Sequence, residues 1–149
     1  MKTGSRKLCR DVMKENPITC HPTDTCHRVA QLMASNNVGF IPVIDRDRRL
    51  IGIVTDRDIV VRGLARGADA STHVDRVMTR EVITCKAMDE LTKAEKLMAE
   101  NRKSRIAICD DYGECVGVIS LSDIAHADSP QISGQILGKV TQRETQYVS

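Results

Sequence analysis

The chain has 149 residues, 22 Lys and Arg against 20 Asp and Glu for a formal charge of +2, and 41% hydrophobic residues. It is long enough to bury a core without disulfide or metal staples. With one Phe, two Tyr and no Trp it is also too near neutral and too poor in aromatics to offer the basic patch and stacking platforms of a nucleic-acid binder. No stretch approaches the roughly 18 apolar residues of a membrane span, and the basic residues 1–11 lead into no apolar signal region, so a cytoplasmic globular protein without membrane or nucleic-acid partners is expected.

Taken in chain order, a short helical segment is expected over residues 8–13 and a short strand over 18–20. A helix follows, with Asp24 placed to cap it and apolar residues at 26, 29, 30 and 33, the spacing of one helical face. Two β-rich runs, 38–44 and 50–55, flank a polar turn at 45–49 in the pattern of a hairpin, and the second run passes straight into a helix at Thr55. Gly63, Gly67 and the polar stretch 69–73 mark a connection. The series then recurs. A helical segment at 74–78, a strand at 82–85 and a helix capped by Asp89 with apolar residues at 91, 94, 97 and 98 precede strands 105–109 and 115–120 and a helix from Ser120. Finally, Ile132, Ile136 and Val140 behind a Ser-Pro start predict an amphipathic helix over 129–141, covering core or a partner. Gly134 and Gly138 oppose it by about 1 kcal/mol each, and the tail after Arg143 is expected to fray.

That recurrence is a sequence repeat. Residues 12–60 and 77–125 align without a gap at an offset of 65, and 15 of the 49 pairs are identical, among them Val12/Val77, Met13/Met78, Thr19/Thr84, Cys20/Cys85, Asp24/Asp89, Asn36/Asn101, Gly52/Gly117 and Asp58/Asp123. One β-α-β-β-α unit used twice accounts for this. It gives repeats at 8–66 and 73–128 and a C-terminal helix and tail at 129–149.

The repeat also bears on the six cysteines. Cys9, Cys26, Cys109 and Cys115 align with Val74, Leu91, Ile44 and Leu50, so an aliphatic role suffices for them. The run Cys20, His21, Cys26, His27 is a weaker alternative as a metal site, because its spacing is not that of a usual zinc motif and Lys86 and Thr92 stand opposite the two histidines.

Thr55…Asp58 and Ser120…Asp123 each lie where a strand enters a helix. A hydroxyl at the N-cap and an acid three residues on is a capping box with Asp in place of Glu, worth roughly 0.5–2 kcal/mol. The same geometry suits a nucleotide: free N–H groups face phosphate, and a carboxylate one turn in can accept both hydroxyls of a ribose. No catalytic motif accompanies it, neither a nucleophile elbow, a P-loop nor a metalloprotease helix, and the chain is read as no enzyme.

On Val12-Met13…Ile18-Thr19, residues 38–45 and residues 52–59, the stretch 8–127 resembles a pair of CBS (cystathionine-β-synthase) domains, and residues 55–65 resemble the small stand-alone bacterial members in particular. The resemblance implies an α/β (α+β) fold of two β-α-β-β-α repeats related by a pseudo-twofold, with clefts between them. Family members bind adenosyl ligands there, and AMP, ADP, ATP, NAD or S-adenosylmethionine are the implied candidates. Carried over by position, Asp58 and Asp123 would hold ribose hydroxyls, and Thr55, Arg57, Ser120 and Ser122 would approach ribose or phosphate. Thr19, Val38, Phe40, Pro42 and Thr84 would line the base pocket, and Arg105 would meet phosphate. The copies differ, since Phe40 aligns with Arg105 and only the first keeps Gly39 and Pro42. The implied function is a regulatory module, a homodimer, with its output passed to a separate effector protein. The alternative is a redox- or metal-responsive or structural CBS dimer without nucleotide.

Overall fold

The computed structural model describes residues 7–127 and 134–141. It contains two compact units, and they do not follow the repeat boundaries. A first unit is built from residues 16–82 with 111–115. A second is built, among the described residues, from 83–110, 116–127 and 134–141 together with the leading segment 7–15.

In the first unit, helix α2 (Cys26–Asn36) precedes strands β2 (Phe40–Ile44) and β3 (Leu50–Thr55), which pair antiparallel with Phe40 opposite Thr55 and Pro42 opposite Ile53. Strand alternation puts Ile41 and Val43 into a core with Cys20, Cys26, Val29, Met33 and Val54, so Phe40 and Pro42 occupy the other face. In place of a regular strand at 18–20, Cys20 alone bridges Val43, donating its N–H to the Pro42 carbonyl. Behind β3 the chain coils through a wide helical stretch (Asp58–Gly63) and a tight turn (Leu64–Arg66).

The second unit repeats the plan more fully. Its four-stranded sheet runs β1-β6-β5-β4, formed by β1 (Lys14–Glu15), β4 (Thr84–Lys86), β5 (Arg105–Cys109) and β6 (Cys115–Ser120), with helix α3 (Leu91–Asn101) and helix α4 (Leu121–Ala127). Its core gathers Leu91, Ala94, Met98, Ile106, Ile108, Ile119 and Ile124. Helix α5, over residues 134–141, buries Ile136 and Val140 in that same core. The predicted C-terminal helix therefore covers its own unit through Ile136 and Val140; Ile132 and the tail after Arg143 lie outside the described residues.

The units trade their leading segments. Helix α1 (Cys9–Val12) and β1 belong by sequence to the first repeat, but they pack in the second unit. Leu8 bridges Glu90, the Cys9 N–H donates to the Asp89 carbonyl at 2.8 Å, and Lys14 pairs with Val118. Residues 73–79 make the matching contacts in the first unit: His73 bridges Thr25, the Val74 N–H donates to the Asp24 carbonyl at 2.8 Å, and Thr79 pairs with Ile53. Each of these pairs is the other shifted by the repeat offset. The trade also explains two shared identities. A Cβ on Gly52 would come 2.9 Å from Met78 Sδ, and one on Gly117 would come 2.8 Å from Met13 Cγ. Each methionine of a leading segment is thus laid on a glycine that must carry no side chain.

Asp24 and Asp89 do not cap the helices that follow. Their carboxylates reach back three residues and accept the N–H groups of His21 and Lys86, both at 2.8 Å, closing the turn before the helix. Thr25 Oγ1 is the acceptor that caps α2, and Glu90 at the head of α3 makes no side-chain cap. The Lys86 N–H bond, helped by Lys93 at 3.3 Å, holds the Asp89 carboxyl below its ordinary value. A depressed folded-state value contributes stability above the unfolded carboxyl range near pH 4 that is lost as pH falls through the folded value. Asp89→Asn is therefore expected to cost about 1 kcal/mol at pH 7, and urea melts should show that difference closing as pH falls below the ordinary carboxyl range.

At the far ends of α2 and α3, Asn37 and Arg102 adopt left-handed conformations with φ of 53° and 56°. Asn36 and Asn101 each donate to the carbonyl four residues back at 2.9 Å. That bond gives the Asn36/Asn101 identity a local cause, the satisfaction of last-turn carbonyls.

Candidate functional site

The residues singled out from the sequence segregate by unit. Thr19, Val38, Phe40, Pro42, Thr55, Arg57 and Asp58 fall in the first, and Thr84, Arg105, Ser120, Ser122 and Asp123 in the second. In both, the Thr/Ser and Asp pair forms the strand-to-helix turn, and Phe40 and Pro42, or Thr84 and Arg105, lie on the sheet face away from the core residues that alternate with them. Phe40 stands opposite Thr55 across the β2–β3 ladder. Thr84, opposite Ala107, and Arg105, at the head of β5, are both exposed. Pro42 is buried, Val38 lies at the start of the turn into β2 and is exposed, and Thr19 is half-buried.

The two capping boxes form in full. In the first unit, Asp58 Oδ2 accepts the Thr55 N–H at 3.0 Å while Thr55 Oγ1 accepts the Asp58 N–H at 3.0 Å. In the second, Asp123 Oδ2 accepts both the N–H and the hydroxyl of Ser120 at 2.9 Å, and Ser120 Oγ accepts the Asp123 N–H at 3.3 Å. Ser122 Oγ joins Ser120 Oγ at 3.0 Å. One carboxylate oxygen is therefore committed to the turn in each unit.

Among the described residues the other oxygen, Oδ1, meets longer contacts, and these come from residues the sequence reading passed over. In the first unit Thr79 Oγ1 lies 3.4 Å from Asp58 Oδ1, and Arg62 donates to that hydroxyl at 2.9 Å while standing 3.9 Å from the carboxylate. In the second, Lys14 Nζ lies 3.9 Å from Asp123 Oδ1. Thr79 and Lys14 align with each other and directly follow Met78 and Met13. Their place beside an identical pair was the available signal, hidden because Thr and Lys are not alike. Asp58 is 9% exposed. The cationic partner Lys14 is mostly in solvent and Arg62 partly so, and an ion pair exposed in this way is worth little.

The cysteine and histidine run does not assemble. Cys20 and Cys26 are buried and His21 and His27 exposed, His21 Nδ1 sits against the Ile44 carbonyl at 3.2 Å, and no metal-binding group of three His, Cys, Asp or Glu side chains exists among the described residues. Burial, with the nearby Asp24 charge, pushes the Cys20 thiol up to about 12, away from the thiolate a metal needs. No helix among the described residues is long and apolar enough to cross a membrane.

Comparison with known proteins fits this geometry. The family model described as "CBS domain" matches twice, over residues 9–64 and 74–129. The CBS domain-containing protein YhcV of Bacillus subtilis is 37% identical over 116 residues, covering 78% of this chain and 81% of that protein. Other relatives are enzymes in which the matched stretch makes up 20–23% of the length, so their catalysis resides in other domains. Among solved structures, the CBS domain pair of protein MJ0100, in complex with 5'-methylthioadenosine and S-adenosyl-L-methionine, is 27% identical with a TM-score of 0.74 over 83% of this chain and 96% of that one. Hypoxic Response Protein I, with two coordinated zinc ions, is 28% identical with a TM-score of 0.74 over 80% and 98%.

Proposed function

The chain belongs to the CBS domain family, whose pairs are regulatory modules, and from that premise we propose that it binds an adenosyl ligand at Asp58, at Asp123 or at both, and passes the occupancy to a separate effector protein. The observation that carries this is the matched pair of carboxylates. In each unit Oδ2 is fixed by the turn, and among the described residues Oδ1 is engaged by contacts of 3.4–3.9 Å. A vicinal diol can take up that second oxygen with charge-assisted hydrogen bonds. The MJ0100 pair, solved with two adenosyl compounds, supports the ligand class. Hydroxyls join the same turns, Thr55 in the first unit and Ser120 and Ser122 in the second, and Arg57 and Arg105 are the cations that would approach phosphate.

A homodimer belongs to the same proposal. Val60 and Val61, on the helical stretch behind β3, and Leu64, in the tight turn after it, are 55%, 42% and 59% exposed. An apolar cluster of that kind favours a partner surface, and a second copy is the simplest occupant. Sedimentation at micromolar concentration should give a dimer, weakened by Val61→Glu.

Calorimetric titration with AMP, ATP, NAD and S-adenosylmethionine tests the ligand. At least one of them is expected to bind below millimolar. If all four fail to do so, the adenosyl reading is wrong.

A further inference from the structure

Cys9 and Cys85 are the two thiols of the second unit's core, 0% and 3% exposed, free, and packed in one cluster. They share that buried cluster, and Cys9 Sγ donates to the Glu90 carbonyl at 3.8 Å. The backbone fixes them there: Cys9 and Arg10 donate their N–H groups to the carbonyls of Asp89 and Ala87, just past β4. The first unit supplies a built-in control, because Cys20 has the place of Cys85 but Val74 has that of Cys9. The chain has a thiol pair in one unit and a thiol beside a valine in the other.

We propose that Cys9 and Cys85 are a disulfide-forming pair that, on meeting a peroxide, fastens the exchanged leading segment covalently to β4. The Cys85 sulfur attacks the peroxide oxygen; the O–O bond breaks, an alcohol or water leaves with the proton, and Cys85 becomes a sulfenic acid. Cys9 sulfur then attacks the Cys85 sulfur, the S–O bond breaks, and hydroxide leaves with the Cys9 proton as water. Two thiols and one peroxide thus give one disulfide, one water and one alcohol or second water. The neighbouring Cys9 thiol holds Cys85 below the ordinary thiol value, while Cys85 and burial push Cys9 above it, which makes Cys85 the first nucleophile. The bond closes a long loop, from residue 9 to residue 85, and loops of that length restrict the unfolded chain strongly.

The test uses the full chain treated with hydrogen peroxide, alkylated under denaturing conditions and digested without reductant. A linked peptide joining Cys9 to Cys85 is expected in mass spectrometry. The melting temperature is expected to rise by about 5 °C or more, reversibly with dithiothreitol. Cys9→Val, which installs the side chain the other repeat uses, should fold and lose the oxidant-dependent rise. Recovery of both thiols alkylated after oxidation in the wild type overturns the proposal whether or not the variant folds. A rise that persists in Cys9→Val overturns it as well.

Discussion

Replacing Gly117 with alanine is expected to lower the unfolding free energy by about 1–3 kcal/mol, and removing the Met13 side chain in the same molecule is expected to recover part of the loss. The new Cβ would sit 2.8 Å from Met13 Cγ and 3.0 Å from Met13 Cβ, well inside van der Waals contact. Met13 alone has to give way, because no other group lies among the nearest atoms. Met13→Ala by itself removes packing against the second unit's core and is expected to cost about 2 kcal/mol. The double variant should cost less than the sum, the signature of two residues sharing one space. Gly52 predicts a contrast. Its Cβ would meet Met78 Sδ at 2.9 Å but also the Thr79 carbonyl at 3.0 Å, and that carbonyl is tied to the Ile53 N–H at 2.9 Å. Met78→Ala is therefore expected to rescue Gly52→Ala poorly, since backbone pinned in a ladder cannot retreat. Urea denaturation of the six variants measures both couplings. Strict additivity of the Gly117 and Met13 changes would show that the methionine does not rest on the glycine.

The same contacts mark where the sequence was legible and where it was not. The hairpins 40–55 and 105–120 and the helices α2 and α3 follow from alternation and helical periodicity, signals that lie within one stretch of chain. The exchange of leading segments has no such signal. Residues 8–14 and 73–79 carry nearly the same pattern and fit nearly the same surface, so nothing local tells which core each will join. Only the three-dimensional pairing of Met13 with Gly117 and of Met78 with Gly52 resolves it. Asp24 and Asp89 were misread for a related reason: an Asp shortly before a helix can cap forward or close a turn backward, and here the backward bond to residue i−3 wins. The turn chemistry of Thr55–Asp58 and Ser120–Asp123 was legible because both partners lie within four residues. Thr79 and Lys14 were not, since they reach the carboxylates from the exchanged segments. The cysteines show the limit of comparing one position at a time. Matching Cys9 to Val74 correctly marks an apolar environment, yet it cannot show that Cys9 and Cys85 share one buried cluster.

The last expectation separates the carboxylates' structural role from their binding role. Asp58→Asn and Asp123→Asn each keep an oxygen that can accept the N–H of Thr55 or Ser120, so the turn should hold and the melting temperature should change little. What is lost is the charge and the second acceptor, which becomes an amide donor facing a hydroxyl that also needs to donate. Hydrogen bonds to a charged group are worth about 1.5–3 kcal/mol each, so adenosyl affinity at the altered unit is expected to fall by roughly 10- to 100-fold or more. The two variants should not behave alike. The second unit places Lys14 near Asp123 and carries Arg105 on the neighbouring strand, whereas the first has Thr79 and Phe40 at those positions. Asp123→Asn is therefore expected to impair ATP more than adenosine, and Asp58→Asn to impair both by a similar factor, as read by calorimetry on each variant. Unchanged binding in both would remove the carboxylates from the site, and a loss of binding matched by a drop in melting temperature would return them to the capping role that the turns alone already explain.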